Sequence, residues 1–178
     1  NTFYLQKFAG VDRETGESLW YKDELDADGN VIGRTTTATY SEATQYLCDD
    51  PTPKLYGGFG TSLDFHGFDI SAAFTYSIGG LTYDSGYAGY MGSPQQSNLG
   101  TNFHKDILNS WTPENKNTDI PKFQFNEQYT AASSDRFLVN ASYLNFQNAQ
   151  IGYTFPERVA SRMHLSRLRI YAACDNIY

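Results

Sequence analysis

The side chains that could carry chemistry in this chain are spread out and form no catalytic pattern. His66 falls in a predicted turn, His104 in a predicted loop and His164 beside the start of a predicted strand. No Ser or Cys motif frames any of the three, so a nucleophile with a neighbouring base is not indicated. The acidic pair Asp49 and Asp50 is typical of a turn, and proximity in sequence does not make a glycosidase pair. The chain has no phosphate-binding glycine loop, and we predict that it is not an enzyme.

Metal and cofactor sites are equally weakly indicated. Residues 26–30 (DADGN) begin like a calcium loop, but Thr37 stands at the twelfth position, where such a loop needs a bidentate acid. A turn at Asp28 and Gly29 within a small hairpin is therefore favoured, with calcium binding as the open alternative. Cys48 falls in a predicted polar loop and Cys174 in a predicted strand, and their spacing indicates neither zinc nor a disulfide scaffold. We therefore expect two free thiols. We predict no metal and no cofactor.

Aromatic residues are the best candidates for contacting a ligand or a partner. A predicted loop alternates Gly and Tyr and is followed by a histidine and a tryptophan. Rings presented on a loop can stack on a sugar or a peptide, although they more often pack the loop against its neighbours. The candidates for substrate or partner contact are Tyr83, Tyr87, Tyr90, His104 and Trp111.

The elements that must position these loops are strands. Between residues 56 and 78, apolar and polar residues alternate with period two through two strands joined by His66 and Gly67. A two-residue turn there places Phe65 opposite Phe68 and brings all bulky apolar side chains to one face. The apolar face carries Phe59, Leu63, Phe65, Phe68, Ile70, Phe74 and Ile78, which are the predicted lipid-facing residues if the sheet belongs to a membrane protein. The opposite face carries small polar residues such as Ser62, Asp64, Ser71 and Thr75.

Such a sheet is either half of a soluble sandwich or part of a membrane barrel. The chain has 14 Tyr and 12 Phe, and aromatic residues are typical of the ends of membrane strands. Strands are predicted at residues 2–8, 56–65, 68–78, 137–155 and 168–178, with a helical turn at 157–163. Their connections are alternately long and short, the order expected of an up-and-down barrel.

No apolar stretch reaches the roughly 18 residues of a membrane-spanning helix. The net charge of −7 opposes nucleic-acid binding.

Motifs along nearly the whole chain, in family order, resemble one family. They are FAGVD and ETG (8–12, 14–16), DPTPK and YGGF (50–54, 56–59), GFDI and SIGG (67–70, 77–80), WTPEN and NTDIP (111–115, 117–121), SYL with Asn148 (142–144), GYTFP (152–156), and LRIY and DN (168–171, 175–176). Together they are similar to the late barrel of SusC/RagA-type TonB-dependent outer-membrane transporters. Asp49 departs from the family's usual Gly, and Asn145 from a common basic residue.

The resemblance implies an all-β fold of antiparallel up-and-down strands that form part of a 22-stranded transmembrane β-barrel. Residues 1–178 would be a late barrel segment without the plug domain and final strands, and residues 9–55 and 79–136 would be extracellular loops. The implied function is import of glycans or peptides across the outer membrane of a Gram-negative bacterium. The implied partners are a SusD-like lipoprotein, outer-membrane lipid, and TonB through the missing N-terminal part.

Two other classes of protein remain open from the sequence. One is a secreted carbohydrate-binding β-sandwich module, in which the Tyr-rich loop would be the platform for the sugar. The other is a fragment of a secreted glycan hydrolase that uses loop carboxylates. A requirement for detergent would separate the transporter from both.

Overall fold

The protein is described here from a computed structural model, and the structure describes residues 2–95, 100–127 and 129–177. Within these ranges the chain forms eleven β-strands and two short α-helices. They are β1 (Tyr4–Gln6), β2 (Phe8–Val11), β3 (Ser18–Leu25), β4 (Val31–Thr37), β5 (Gln45–Leu47), β6 (Leu55–Phe65), β7 (Phe68–Ile78), β8 (Leu81–Tyr83), α1 (Ser85–Tyr90), β9 (Leu138–Asn140), β10 (Tyr143–Thr154), α2 (Glu157–Arg162) and β11 (Arg169–Ile177).

The chain divides into two compact units. The sheet unit lies within Thr52–Gly80 and Asn140–Tyr178, and the loop unit lies within Asn1–Pro51 and Leu81–Val139. The sheet unit therefore contains the long strands, and the loop unit contains most of the two long connections between them.

The sheet unit is a four-stranded antiparallel sheet in the order β11-β10-β7-β6. Phe65 pairs with Phe68 and Leu63 pairs with Ile70, as predicted. His66 and Gly67 form the turn with φ values of 48° and 89°. Positive φ at both central residues is the geometry of a type I′ turn, which matches the twist of the flanking strands. The predicted hairpin and its register are confirmed.

The apolar face continues onto the next two strands because their registers preserve the alternation. Ile151 of β10 pairs with both Ile70 of β7 and Ala172 of β11. A β-bulge between Phe146 and Asn148 shifts the register once within β10. One face of all four strands is therefore apolar and the other is polar, as an antiparallel sheet with two different environments requires.

Two of the predicted strands are divided in the structure. The strand predicted at residues 2–8 is β1 and β2, which pair with β5 and β3 in separate sheets. The strand predicted at residues 137–155 is β9 and β10. Between them Ser142 N donates to Asn140 Oδ1 at 2.7 Å, and this local bond redirects the chain. Period-two patterning does not detect such a change of direction.

The predicted first long loop contains β3, β4, β5 and most of β2. β2, β3 and β4 form a three-stranded sheet, and β1 pairs with β5. Asp26 and Asn30 close the β3–β4 hairpin, with Gly29 at φ 84°. The small hairpin predicted at Asp28 and Gly29 is confirmed. Trp20 of β3, which is 1% exposed, is a core residue of this unit.

The second long connection is organised around α1 and short 3₁₀ turns. Among the described residues it includes the 3₁₀ turns Lys105–Asn109 and Asp135–Phe137, whereas a third, Tyr40–Glu42, lies in the first long connection. Ala88 and Met91 pack with Phe137 in a buried apolar cluster. The side chain of Asp84 accepts a hydrogen bond from Tyr87 N and caps α1. The helical turn predicted at residues 157–163 is confirmed as α2.

No helix in the described ranges is long and apolar enough to cross a membrane.

The turn glycine of the β6–β7 hairpin provides a test of this fold. A Cβ at Gly67 would lie 2.7 Å from the carbonyl oxygen of Thr154, whereas a Cβ at Gly29 would meet nothing within 4 Å. Both glycines have positive φ, so both alanine variants carry a backbone strain of about 1 kcal/mol. We expect Gly67→Ala to increase proteolytic cleavage of the intact protein more than Gly29→Ala does. Equal cleavage of the two variants would contradict the close approach at Gly67.

Candidate functional site

The apolar face of the sheet unit is exposed to an extent that is unusual for such large side chains. Six of the seven predicted lipid-facing residues are between 45% and 65% exposed: Phe59, Leu63, Phe65, Phe68, Ile70 and Ile78. The seventh, Phe74, is partly buried because it stacks between Phe59 and Phe146, with ring centroids 4.9 and 4.4 Å away. A continuous apolar surface of this kind marks a contact with lipid or with another protein.

The opposite face of the sheet carries an ion pair that spans three strands. Arg169 Nη2 lies 2.5 Å from Asp69 Oδ2, and Arg169 Nε lies 3.0 Å from Asp69 Oδ1. The two residues are on β11 and β7, on either side of β10. A Cβ at Gly152 of β10 would lie 2.6 Å from Arg169 Nη2 and from Asp69 Oδ2. The glycine therefore makes room for a bidentate bridge across the middle strand.

Two of the five predicted contact residues, Tyr87 and His104, form a packed pair in the loop unit. Their rings meet edge to face with centroids 4.9 Å apart. The Tyr87 hydroxyl donates to Asp106 Oδ2 at 3.0 Å, and His104 Nδ1 accepts from the backbone N of Asp106 at 3.2 Å. Burial, together with the hydrogen bond to the carboxylate, raises the pKa of Tyr87, so its hydroxyl stays a donor.

Tyr83 and a cation complete this cluster. The ring of Tyr83 lies 6.0 Å from Phe137, edge to face, and Phe137 is 1% exposed. The guanidinium of Arg136 lies over the rings of Phe8 and Phe137 at 4.9 and 5.5 Å. Burial lowers the pKa of Arg136, although an arginine remains charged. The cation–π contacts offset part of the cost of burying this charge.

Trp111 and Tyr90 are placed differently from each other. The indole of Trp111 packs on Gly16, which has a φ of 74°, and its Nε1 donates to the carbonyl oxygen of Arg13 at 2.9 Å. Tyr90, at the end of α1, is 56% exposed, and its backbone carbonyl accepts from His104 N at 2.9 Å. Of the five predicted rings, Tyr90 presents the most accessible surface to a ligand or partner, while the other four have identified packing partners.

The sequence did not single out a second group of aromatic and charged residues in the loop unit. Tyr46 donates to Asp23 Oδ1 at 2.5 Å, and Arg34 Nε lies 3.1 Å from the same oxygen. The Arg34 guanidinium also lies 4.8 Å from the centre of the Tyr46 ring. The hydrogen bond from Tyr46, with help from Arg34, lowers the pKa of Asp23. The pairing of β3 with β4 brings Asp23 next to Arg34. The segment that leads into β5 adds Tyr46, since Thr44 N donates to the carbonyl oxygen of Tyr21 at 3.0 Å. No sequence spacing therefore indicates this group.

Metal ligands do not cluster in the part of the chain that the structure describes: no group of three His, Cys, Asp or Glu side chains could hold an ion there. Asp26 Oδ1 accepts hydrogen bonds from the backbone N of Asp28 and of Asn30, at 2.9 and 2.8 Å. Hydrogen bonds from Asn30 lower the pKa of Asp26, and the carboxylate is used to close the turn. Cys48 and Cys174 are free thiols.

The fold and this apolar face are of the kind found in outer-membrane β-barrel walls, and comparison with known proteins agrees. The chain is 29% identical over 161 residues to TonB-dependent receptor P3 of Formosa agariphila, covering 86% of this chain and 14% of that protein. It matches the structure of the RagAB peptide transporter with 31% identity and a TM-score of 0.78, covering 100% of this chain and 19% of that one. The RagAB peptide importer in its closed-closed state matches with 30% identity and a TM-score of 0.71, again covering 100% and 19%.

No family model matches the chain. The chain spans 14% of the length of its curated relative and 19% of that of the RagAB chain. The similarity to RagAB over all of this chain confirms the resemblance to the SusC/RagA-type TonB-dependent outer-membrane transporters. It also confirms the predicted fold class of antiparallel strands of the type found in that transporter.

The contrast between Tyr87 and Tyr90 predicts two different outcomes. Tyr87→Ala removes a half-buried ring and its hydrogen bond to Asp106, so we expect the loop unit to lose about 2 kcal/mol of local stability. Tyr90→Ala removes an exposed ring and should change that stability by less than about 0.5 kcal/mol. Limited proteolysis of the intact protein measures both. Similar cleavage of the loop unit in the two variants would disprove the structural role of Tyr87.

Proposed function

We propose that the chain is part of the wall and of the surface loops of an outer-membrane TonB-dependent transporter. The transporter would import glycans or peptides together with a SusD-like surface lipoprotein in a Gram-negative bacterium. The exposed apolar face of the sheet unit is the observation that carries this proposal. In water, exposed side chains of this size on four paired strands would favour aggregation, whereas hydrocarbon favours them.

The distribution of rings on the apolar face supports membrane insertion. Phe68 and Tyr153 lie next to the β6–β7 turn, with ring centroids 4.6 Å apart. Phe155 follows, 4.9 Å from Tyr153. Aromatic side chains concentrated at one end of the strands form an interfacial girdle in transmembrane barrels. We infer that the His66–Gly67 turn lies on the periplasmic side, where short turns are usual.

The polar face would then line the barrel interior. Small side chains such as Ser62 and Ser71 leave space there, and the Asp69–Arg169 pair would lie in the same compartment. A 22-stranded barrel encloses a plugged lumen, so these residues would face the plug or water. Closure of that barrel requires strands other than those of this chain.

The two long connections, residues 9–55 and 79–136, would be the extracellular loops. Ordered loops of this length on a rigid scaffold usually serve binding. We propose that they contact the SusD-like lipoprotein or the imported glycan or peptide. Tyr83, Tyr87, Tyr90, His104 and Trp111 remain the contact candidates, with Tyr90 as the most accessible. TonB would act through a part of the transporter outside this chain.

A charged residue on the apolar face tests the membrane assignment. In the full-length transporter, Ile70→Arg places a guanidinium at a midplane position and should reduce the free energy of folding in lipid by about 2–4 kcal/mol. Ser62→Arg, on the polar face of the neighbouring strand, is the matched control and should cost much less. The fraction of folded barrel, measured by heat-modifiable migration after refolding into vesicles, reports both. If Ile70→Arg folds as well as Ser62→Arg, this face does not contact lipid.

Replacing an exposed loop ring tests the role of the loops. Tyr90→Ala in the full-length transporter should weaken association with the lid lipoprotein, or nutrient uptake, by about five- to tenfold, since exposed aromatic anchors are frequent hot spots. Leu108→Ala, at a residue 88% exposed in the same unit, is the control. Co-purification of the lid and growth on the cognate nutrient are the measurements. If both are unchanged in Tyr90→Ala, the ring is not a contact residue.

A further inference from the structure

The loop unit contains a polar groove of about 470 Å³, a size typical of small-molecule sites. Its lining includes Glu17, Ser18, Lys122, Gln124, Asn126 and Tyr129. None of these residues belongs to the predicted contact set. The groove brings together residues more than 100 positions apart in sequence, since Lys122 Nζ lies 3.4 Å from Glu17 Oε1.

Backbone hydrogen bonds hold the walls of this polar groove in place. Lys122 N donates to the carbonyl oxygen of Gly16 at 2.8 Å, and Asn126 N donates to that of Pro94 at 2.9 Å. The carboxylate of Glu127, which also lines the groove, accepts from the backbone N of Tyr129 at 2.9 Å. A site whose walls are fixed before binding loses less conformational entropy when a ligand enters.

Several polar groups of the groove are left for a ligand. Ser18 is 4% exposed, and its Oγ has no hydrogen-bond partner among the described residues. Among the described residues, the side-chain amides of Gln124 and Asn126 also have no hydrogen-bond partner. The Ser18 hydroxyl is closed off by its burial, whereas the two amides belong to exposed residues. A ligand rich in donors and acceptors would bond to these two amides.

The chemistry of the lining points to one kind of ligand. Amides offer both a donor and an acceptor, a carboxylate accepts and an ammonium donates, which matches hydroxyl groups that do both. Tyr129 is 36% exposed, and its ring stacks on that of Tyr40 with centroids 5.8 Å apart. This stacking holds the Tyr129 ring in a position where the flat apolar face of a ligand can pack on it. Glu17 and Glu127 against Lys122 give the groove a net charge of −1, which disfavours anionic ligands.

We propose that this polar groove binds a neutral oligosaccharide. Vicinal sugar hydroxyls would bond to Glu17, Gln124 and Asn126, and the C–H face of one ring would lie on Tyr129. Strand addition, a common mode of peptide recognition, uses the backbone of a strand edge, whereas this groove presents side-chain groups. The inference rests on the proposed transport function and names the substrate class that the loops would capture.

Calorimetric titration of the purified full-length transporter tests the site. The probes are neutral gluco-, xylo-, manno- and galacto-oligosaccharides, an oligogalacturonate and a pool of short peptides. We expect one neutral probe to bind, and Gln124→Ala and Glu17→Gln each to weaken it about tenfold, or about 1.4 kcal/mol. Gln45→Ala and Glu24→Gln, the same changes at exposed positions outside the groove, should bind as the wild type does.

Three results would overturn the proposal: no neutral probe binds, peptides or the oligogalacturonate bind in its place, or Gln124→Ala and Glu17→Gln bind like their controls. Nutrient uptake by cells that carry the wild-type transporter is measured in parallel. If uptake is normal and any of these three results is found, only the proposed sugar site in the groove is rejected, and the transport function stands. Absence of both uptake and outer-membrane insertion rejects the transport function itself.

Discussion

The antiparallel register of four strands is the constraint on which the rest of this structure depends. Because side chains alternate with period two, one register places Leu63, Ile70 and Ile151 on the same face. A slip of one residue would move this whole set to the polar face. The type I′ turn at His66 and Gly67 fixes the register locally, and the pairing of β10 carries it to β11. The apolar face and the polar face are both consequences of this one alignment.

Two glycines leave space for side chains that approach the backbone closely. Gly152 leaves room for Asp69 and Arg169 to meet across β10, and Gly16 leaves room for the indole of Trp111 in the loop unit. In each case a Cβ would occupy the space that a functional or packing side chain now fills. The ion pair adds a second constraint on the order of β7, β10 and β11, since it forms only when the middle strand carries no side chain at that point.

The aromatic residues of the loop unit have two different roles. Tyr87 and Trp111 have specific packing and hydrogen-bond partners, so they order long connections that would otherwise carry a large entropic cost. Tyr90 and Tyr129 keep exposed ring surface. This division leaves a few rings and polar groups of the loop unit exposed while the packed rings keep it ordered, which is how binding loops combine order with accessibility. The proposed transport function uses the exposed rings, and the ordered ones hold them in position.

Local sequence was enough to predict the β6–β7 hairpin, its register, the composition of its two faces, the helical turn of α2 and the resemblance to a transporter family. These features depend on periodicity and on turn chemistry within a few residues, which local sequence encodes. Long-range packing, in contrast, divides residues 2–8 and 137–155 into two strands each, because neighbouring sheets and one side-chain bond redirect the chain there. It also decided which rings are packed, how Asp69 meets Arg169 100 positions away, and how Glu17 reaches Lys122 to form the groove. Contacts of that separation depend on how long connections fold back, and no local pattern records that path.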